Sequence, residues 1–426
     1  MGGQWRERRD LIQNIVITLL ALSAVLLFTQ TQLYSLDLTG GHDGPAGDAG
    51  QSASAAGTPE LFAAPVRVAV TGDYGRYGRV ALTTADESFT DPLGRRLLEA
   101  LGSARDYAAC TKADFLRALR GPSLYYDFWE PLPLSVLAGL LGGEAEVSPR
   151  EDLSARRLLL ALQDNGAVLY LWDGGDALSR AGTAVSADSL AQVISRYELG
   201  GASFAMDAGP DGPERALDPC SLLPAEPPVL PAFTVGDPLA STDWLLSALG
   251  FNPRSRTRHT ESNGTELIMD GERTLRVRPD NSVHYQSGQD PSLTVAAAGE
   301  VPTAREAALG AGGLLARLLA PVSGEAQPYL QGVRRNGDVT VVRFGYQAGG
   351  VPIRFQDGAA AAEVTLTGTS VTGLVLRFRQ YQLLEEPSLL LPLPQALAVA
   401  SASPGKELSI GYVERSGGCR ATWLCD

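Results

Sequence analysis

Residues 331–355 read Gln331-Gly332-Val333-Arg334-Arg335-Asn336-Gly337-Asp338-Val339-Thr340-Val341-Val342-Arg343-Phe344-Gly345-Tyr346-Gln347-Ala348-Gly349-Gly350-Val351-Pro352-Ile353-Arg354-Phe355. β-Branched and aromatic residues gather here in short runs, and Asn336-Gly337 falls between two of them. The spacing predicts strands at 331–335, 339–346 and 351–355, with a type I′ hairpin at Asn336-Gly337. Strands at 362–366 and 369–377 follow. A helix at about 303–319 precedes the group, and a helix at 392–400 with strands at 407–413 and 420–424 closes it. No regular alternation of strand and helix is present, so the pattern is α+β with meandering antiparallel strands.

The same reading extends towards the N-terminus. A helix over 237–249 stops at Gly250, and strands at 265–270, 272–278 and 281–286 are punctuated by Asp270-Gly271 and Asp280-Asn281. Residues 207–235 carry seven prolines and mark a boundary. Before it, Val66, Val68 and Val70 alternate with Arg67 and Ala69 as a strand. The segment 72–78 is a turn, and 79–84 is a second strand. Helices are expected at 93–101, 113–119, 133–141 and 188–197, with strands at 124–128, 156–162 and 167–172. The expected domains are an α+β unit over 63–235, a helix with three strands over 236–300, and an α+β unit over 301–426.

From Leu11 to Phe28 there is no charged residue. Eighteen residues at about 1.5 Å each span about 27 Å, close to a hydrocarbon core of about 30 Å. Arg6, Arg8 and Arg9 precede the run, and no Lys or Arg follows until Arg67. The expectation is a cytoplasmic tail at 1–9, a single transmembrane helix at 10–33, a Gly/Ala/Ser tether at 34–62, and the rest of the chain outside the cell membrane. A cleaved signal peptide fits less well, because the run is long and Thr29-Gln30-Thr31-Gln32 offers no cleavage site. Asn14, Thr18 and Ala21 share one face of the helix and would pack against another membrane helix. Alternatively, Asn14 sits among the headgroups and Thr18 bonds its own backbone.

The 426 residues carry 35 Lys+Arg against 48 Asp+Glu, a net charge of −13. That balance argues against nucleic acid and leaves membrane lipid as a partner of the anchor alone. Three His and four Cys supply little for a metal centre. His42, His259 and His284 have no ligand spacing. Gly72, Gly75 and Gly78 follow a strand but lead into another strand, so they form a hairpin and not a phosphate loop. There is no Gly-x-Ser-x-Gly elbow, and Glu385-Glu386 reads as solvated surface. The chain therefore reads as no enzyme, with no catalytic, cofactor-binding or metal residues and no cofactor. In an oxidising exterior, Cys419 and Cys425 would close a small loop, and Cys110 with Cys220 a long one; four free thiols are the alternative. Tyr125, Tyr126, Phe128 and Trp129 form a buried strand or, in the rival reading, an exposed binding groove.

Several stretches resemble a known family. They are the basic tail with its single anchor, Arg67-Val68-Ala69-Val70-Thr71-Gly72 leading to Gly75-Arg76-Tyr77-Gly78, and Leu124-Tyr125-Tyr126-Asp127-Phe128 before Pro131-Leu132-Pro133-Leu134-Ser135. Leu246-Ser247-Ala248-Leu249-Gly250-Phe251-Asn252-Pro253, Thr274-Leu275-Arg276-Val277, the stretch 346–376 and Ile410-Gly411-Tyr412 extend the likeness. Together they are similar to the YycH/YycI family, membrane-anchored regulators of the WalK-type sensor histidine kinase of Gram-positive bacteria, and most similar to its YycH side. The resemblance implies a multi-domain α+β exterior and regulation of a kinase through membrane and extracellular contacts. It also implies a sensor histidine kinase and a YycI-like companion as partners. A cell-envelope binding or assembly module is the alternative, and a wall-directed hydrolase a more distant one.

Overall fold

The computed structural model describes residues 52–53, 63–142, 153–163, 166–236, 238, 242–252, 257–289, 291–415 and 418–426. The fold is α+β with mostly antiparallel strands. Among the described residues no helix is long and apolar enough to cross a membrane. The anchor expected over 10–33, with Asn14, Thr18 and Ala21, lies outside them.

The first sheet is built from β1 (Pro65–Gly72), β2 (Gly75–Thr83), β3 (Arg105–Ala109), β4 (Ser123–Pro133), β5 (Ser154–Gln163), β6 (Gly166–Trp172) and β7 (Leu178–Gly182). Its order is β2-β1-β4-β5-β6-β7-β3. Strand β1 is buried along its whole length, so its alternating Val and Arg do not divide core from solvent. Four helices accompany this sheet: α1 (Arg95–Ser103), α2 (Lys112–Arg120), α3 (Leu134–Leu140) and α4 (Ala187–Ile194). Helix α2 opens on a capping box, with Thr111 and Asp114 each satisfying the other's backbone N–H.

The tight turn of the first hairpin is shorter than the sequence suggests. Gly72 pairs with Gly75, leaving Asp73-Tyr74 as the loop, and the second strand starts four residues early. Arg76 ties the hairpin down. Its guanidinium donates to the Leu119 carbonyl at 2.8 Å and to Asp207 at 2.8 Å. The Gly72–Gly78 stretch is thus a structural hairpin.

The larger sheet takes β8 (Ala232–Gly236), β9 (Arg258–Thr260), β10 (Glu266–Asp270), β11 (Arg273–Val277) and β12 (Ser282–Gln286). It continues through β13 (Gln327–Asn336), β14 (Val339–Ala348), β15 (Val351–Arg354), β16 (Ala362–Thr367), β17 (Ser370–Arg377), β18 (Gln380–Leu383), β19 (Leu408–Arg415) and β20 (Gly418–Cys425). The order is β9-β10-β11-β12-β17-β16-β14-β15-β19-β20-β8-β18, with β13 on β14. Strand β12 pairs with β17, which carries the 266–286 strands into the C-terminal sheet. The helices here are α5 (Thr242–Ala248), α6 (Ala304–Leu318) and α7 (Leu393–Ala400).

Two turns of the 331–355 stretch decide how it folds back. Asn336 pairs with Val339, so the loop residues are Gly337-Asp338 and not Asn336-Gly337. Gly337 alone takes positive φ, +65°, which departs from the type I′ geometry expected there. The next turn, Gly349-Gly350, has positive φ at both positions, +56° and +82°. A Cβ on Gly350 would stand 2.5 Å from the backbone nitrogen of Leu82 in β2. Glycine is what lets this turn of the larger sheet press against the smaller one.

Tyr125, Tyr126 and Phe128 on β4 are fully buried, which settles them as core and removes the exposed aromatic groove. Each contributes about 1.5–3 kcal/mol by leaving water. Phe89 meets Tyr126 edge-on at 6.1 Å, and Phe204 meets Tyr125 at 5.2 Å.

Candidate functional site

Charged residues occupy the seam between the two sheets. Arg67 on β1, Asp127 on β4, and Arg156 and Arg157 on β5 converge on Glu407, which immediately precedes β19. Arg67 bonds both Asp127 and Glu407. Arg156 donates to Asp127 at 3.0 Å and to Glu407 at 2.7 Å. Arg157 donates to Glu407 at 2.7 Å and to Asp218 at 3.3 Å. Three guanidiniums therefore meet three carboxylates. The Asp127 side chain keeps 1% of its exposure and that of Arg67 2%.

Burial alone would push both carboxyls upward. For Asp127 the neighbouring Arg156, Arg67 and Arg157 outweigh it and hold the group well below the usual carboxylate range. Glu407 is lowered as well, burial being outweighed by Arg67, Arg156 and Arg157 despite the opposing charge of Asp127. Both stay ionised at neutral pH, and the seam is a buried, balanced ion network. The backbone reinforces it. Asp218 N–H donates to the Lys406 carbonyl at 2.8 Å, and Leu408 N–H to Ser221 Oγ at 3.2 Å.

Beside this network Trp129 takes φ +69°, rare for a bulky residue and worth about 1–2 kcal/mol of strain. Its N–H donates to Asp127 at 2.9 Å, and the Arg67 guanidinium stacks 4.2 Å from its ring. The strain is localised where β4 breaks register with β5, between Asp127 and Leu132. Trp129 Nε1 and Ser409 Oγ are buried near the seam with no hydrogen-bond partner among the described residues.

Two adjoining clefts open along the seam, of about 480 Å³ and 340 Å³, and share Glu130, Pro131 and Arg354. Arg334 and Arg343 line the larger one. Arg354 pairs with Asp426 at 2.6 Å, whereas Arg343 stands 3.6 Å from Glu363.

The cysteines are not bridged. Cys110, Cys220, Cys419 and Cys425 are free thiols. Cys419 and Cys425 lie at opposite ends of the extended strand β20, about 20 Å apart by strand rise, far beyond disulfide reach. Burial pushes the Cys220 and Cys419 thiols up to about 12. His259 is exposed on β9 and His284 half-buried on β12; neither lines these clefts. Among the described residues no group of three or more His, Cys, Asp and Glu is placed to hold a metal ion.

The ion network was missed from sequence because Arg67, Asp127 and Glu407 are separated by 60 and 280 positions. One local signal was present: Arg67, Asp127 and Arg156-Arg157 each interrupt an apolar strand of the kind that is buried on both faces.

The fold and the seam define an α+β class of two mainly antiparallel sheets joined by buried charge. No family model and no curated protein matches the sequence. Among solved structures, the fold is similar to YycH from Bacillus subtilis, with a TM-score of 0.54, 12% identity, and coverage of 86% of this chain and 94% of that one. At that identity the likeness is one of fold. An uncharacterized protein from Eubacterium rectale aligns over 46% of this chain and 76% of its own, at 14% identity and a TM-score of 0.31, too low to carry an argument.

Proposed function

We propose that this chain is a membrane-anchored extracytoplasmic regulator that modulates a cell-wall-sensing histidine kinase, and acts without catalysis. The observation that carries the reading is the YycH-like fold, extending over 86% of the chain. The uncharged run from Leu11 to Phe28, with arginines only on its N-terminal side, supports the anchor and its orientation. In this reading the bulk of the chain lies outside a Gram-positive cell membrane, the anchor packs beside the kinase's transmembrane helices, and a YycI-like companion shares the assembly. Regulation then requires that the chain bind one signalling state of the kinase more tightly than the other.

Asn14→Leu and Thr18→Leu test the membrane contact. Either change is expected to reduce co-purification of the kinase from solubilised membranes. Unchanged co-purification with both substitutions combined would remove the anchor face from the mechanism.

A further inference from the structure

The larger cleft at the seam has unused binding chemistry. Its volume, about 480 Å³, falls in the range of small-ligand sites. One wall comes from the smaller sheet through Glu130 and Ser154, the other from the larger sheet through Gln331, Arg334, Arg343 and Arg354. Among the described residues Arg334 makes no hydrogen bond or ion pair, and Arg343 makes no hydrogen bond, its Nε standing 3.6 Å from Glu363 in a long ion pair. Glu130 also has no partner within ion-pair distance among the described residues. Yet four guanidiniums act on it through space.

Those four are Arg156, Arg354, Arg343 and Arg334. Crowding by the cleft walls pushes the Glu130 carboxyl upward against their combined pull. A carboxylate, one unpaired guanidinium (Arg334) and one held only by a long ion pair to Glu363 (Arg343) therefore line one cleft without pairing with one another among the described residues. In a chain of net charge −13, such a concentration of arginines is a local exception. An arginine fork with free donors matches a carboxylate through two parallel hydrogen bonds. A free carboxylate opposite it matches an ammonium group. A di- or tripeptide with free ends presents both groups and fills this volume.

We propose that the cleft between Glu130 and the Arg334–Arg343 pair binds a short peptide. Its carboxylate sits on the two arginines and its amine on Glu130. This site is argued from the cleft alone and does not depend on the kinase partnership.

The test is calorimetric titration of the full-length chain in detergent, using the tripeptide Ala-Glu-Lys with free ends as probe. Parallel titrations use the same peptide acetylated and amidated, and inorganic phosphate. The expected result is saturable binding of the free peptide, weakened about tenfold by Arg334→Gln, for which about 1.4 kcal/mol is the equivalent loss. Arg334 is exposed and has no ion pair among the described residues, so the variant keeps its fold; an unchanged melting temperature checks this. Glu130→Gln is expected to abolish the preference for a free amine over an acetylated one. The proposal is overturned if the free peptide does not bind at millimolar concentration, if the blocked peptide binds equally well, or if Arg334→Gln changes nothing. Saturable binding of phosphate that excludes the peptide would also overturn it and assign the cleft to a phosphate-bearing ligand.

Discussion

At the scale of single residues, the account turns on Glu407. It receives charge-assisted hydrogen bonds from Arg67, Arg156 and Arg157, and it is almost wholly buried. Glu407→Gln leaves an uncompensated guanidinium in the interior and is expected to cost about 3–5 kcal/mol in urea unfolding. The pH dependence has a definite sign. Asp127 and Glu407 are depressed in the fold, so their stabilising effect is complete above the unfolded carboxylate range of about 4 and is lost as pH falls towards their folded values. The urea midpoint should therefore show no loss from these two groups between neutrality and about pH 5, and should drop below about pH 4. In Glu407→Gln the acid drop should be smaller. The thiols supply a separate check. Cys425 is exposed, whereas Cys220 and Cys419 are buried with raised pKa. Mass spectrometry after brief alkylation of the native chain should find Cys425 modified and Cys220 and Cys419 modified only after unfolding.

The elements differ in how openly the sequence announces them. Helices α2 and α6 carry capping boxes at Thr111/Asp114 and Thr303/Glu306, and both fall where the apolar period places them. Strands β10 to β12 follow their turn residues. Strands β3 and β7 escaped notice because Arg105–Ala109 is mostly exposed and Leu178–Gly182 is short, so neither shows a two-residue apolar alternation. The hairpin at Asn336-Gly337 was found, but its loop is displaced by one residue, since register is decided by pairing along β13 and β14 as well as by the turn. The Gly349-Gly350 turn supports a prediction that separates backbone strain from crowding. Gly349→Ala meets no neighbour within 4 Å and should lose only the left-handed backbone preference, about 1–2 kcal/mol. Gly350→Ala adds a collision with Leu82 and should lose clearly more, read as a lower thermal midpoint. Equal losses would mean that the turn does not press on β2.

Across the whole molecule, the α+β class and the YycH-like layout were readable from strand runs, turn residues and a few scattered motifs. The seam was not, because it is made by residues such as Arg67 and Glu407, which lie 340 positions apart and whose partnership exists only once both sheets are in place. The arginine cleft was equally hidden. Arg334 and Arg343 look like ordinary solvated strand residues until the smaller sheet brings Glu130 opposite them. In the proposed reading, the chain transmits state through shape and contact. The measurement that bears most directly on this is cross-linking in intact cells of the chain's own type of host. It compares the native chain with one in which residues 11–33 are replaced by an unrelated membrane helix. The account predicts a sensor histidine kinase enriched with the native chain and lost with the replacement. Recovery of wall material or assembly proteins alone, whichever helix is present, would contradict it.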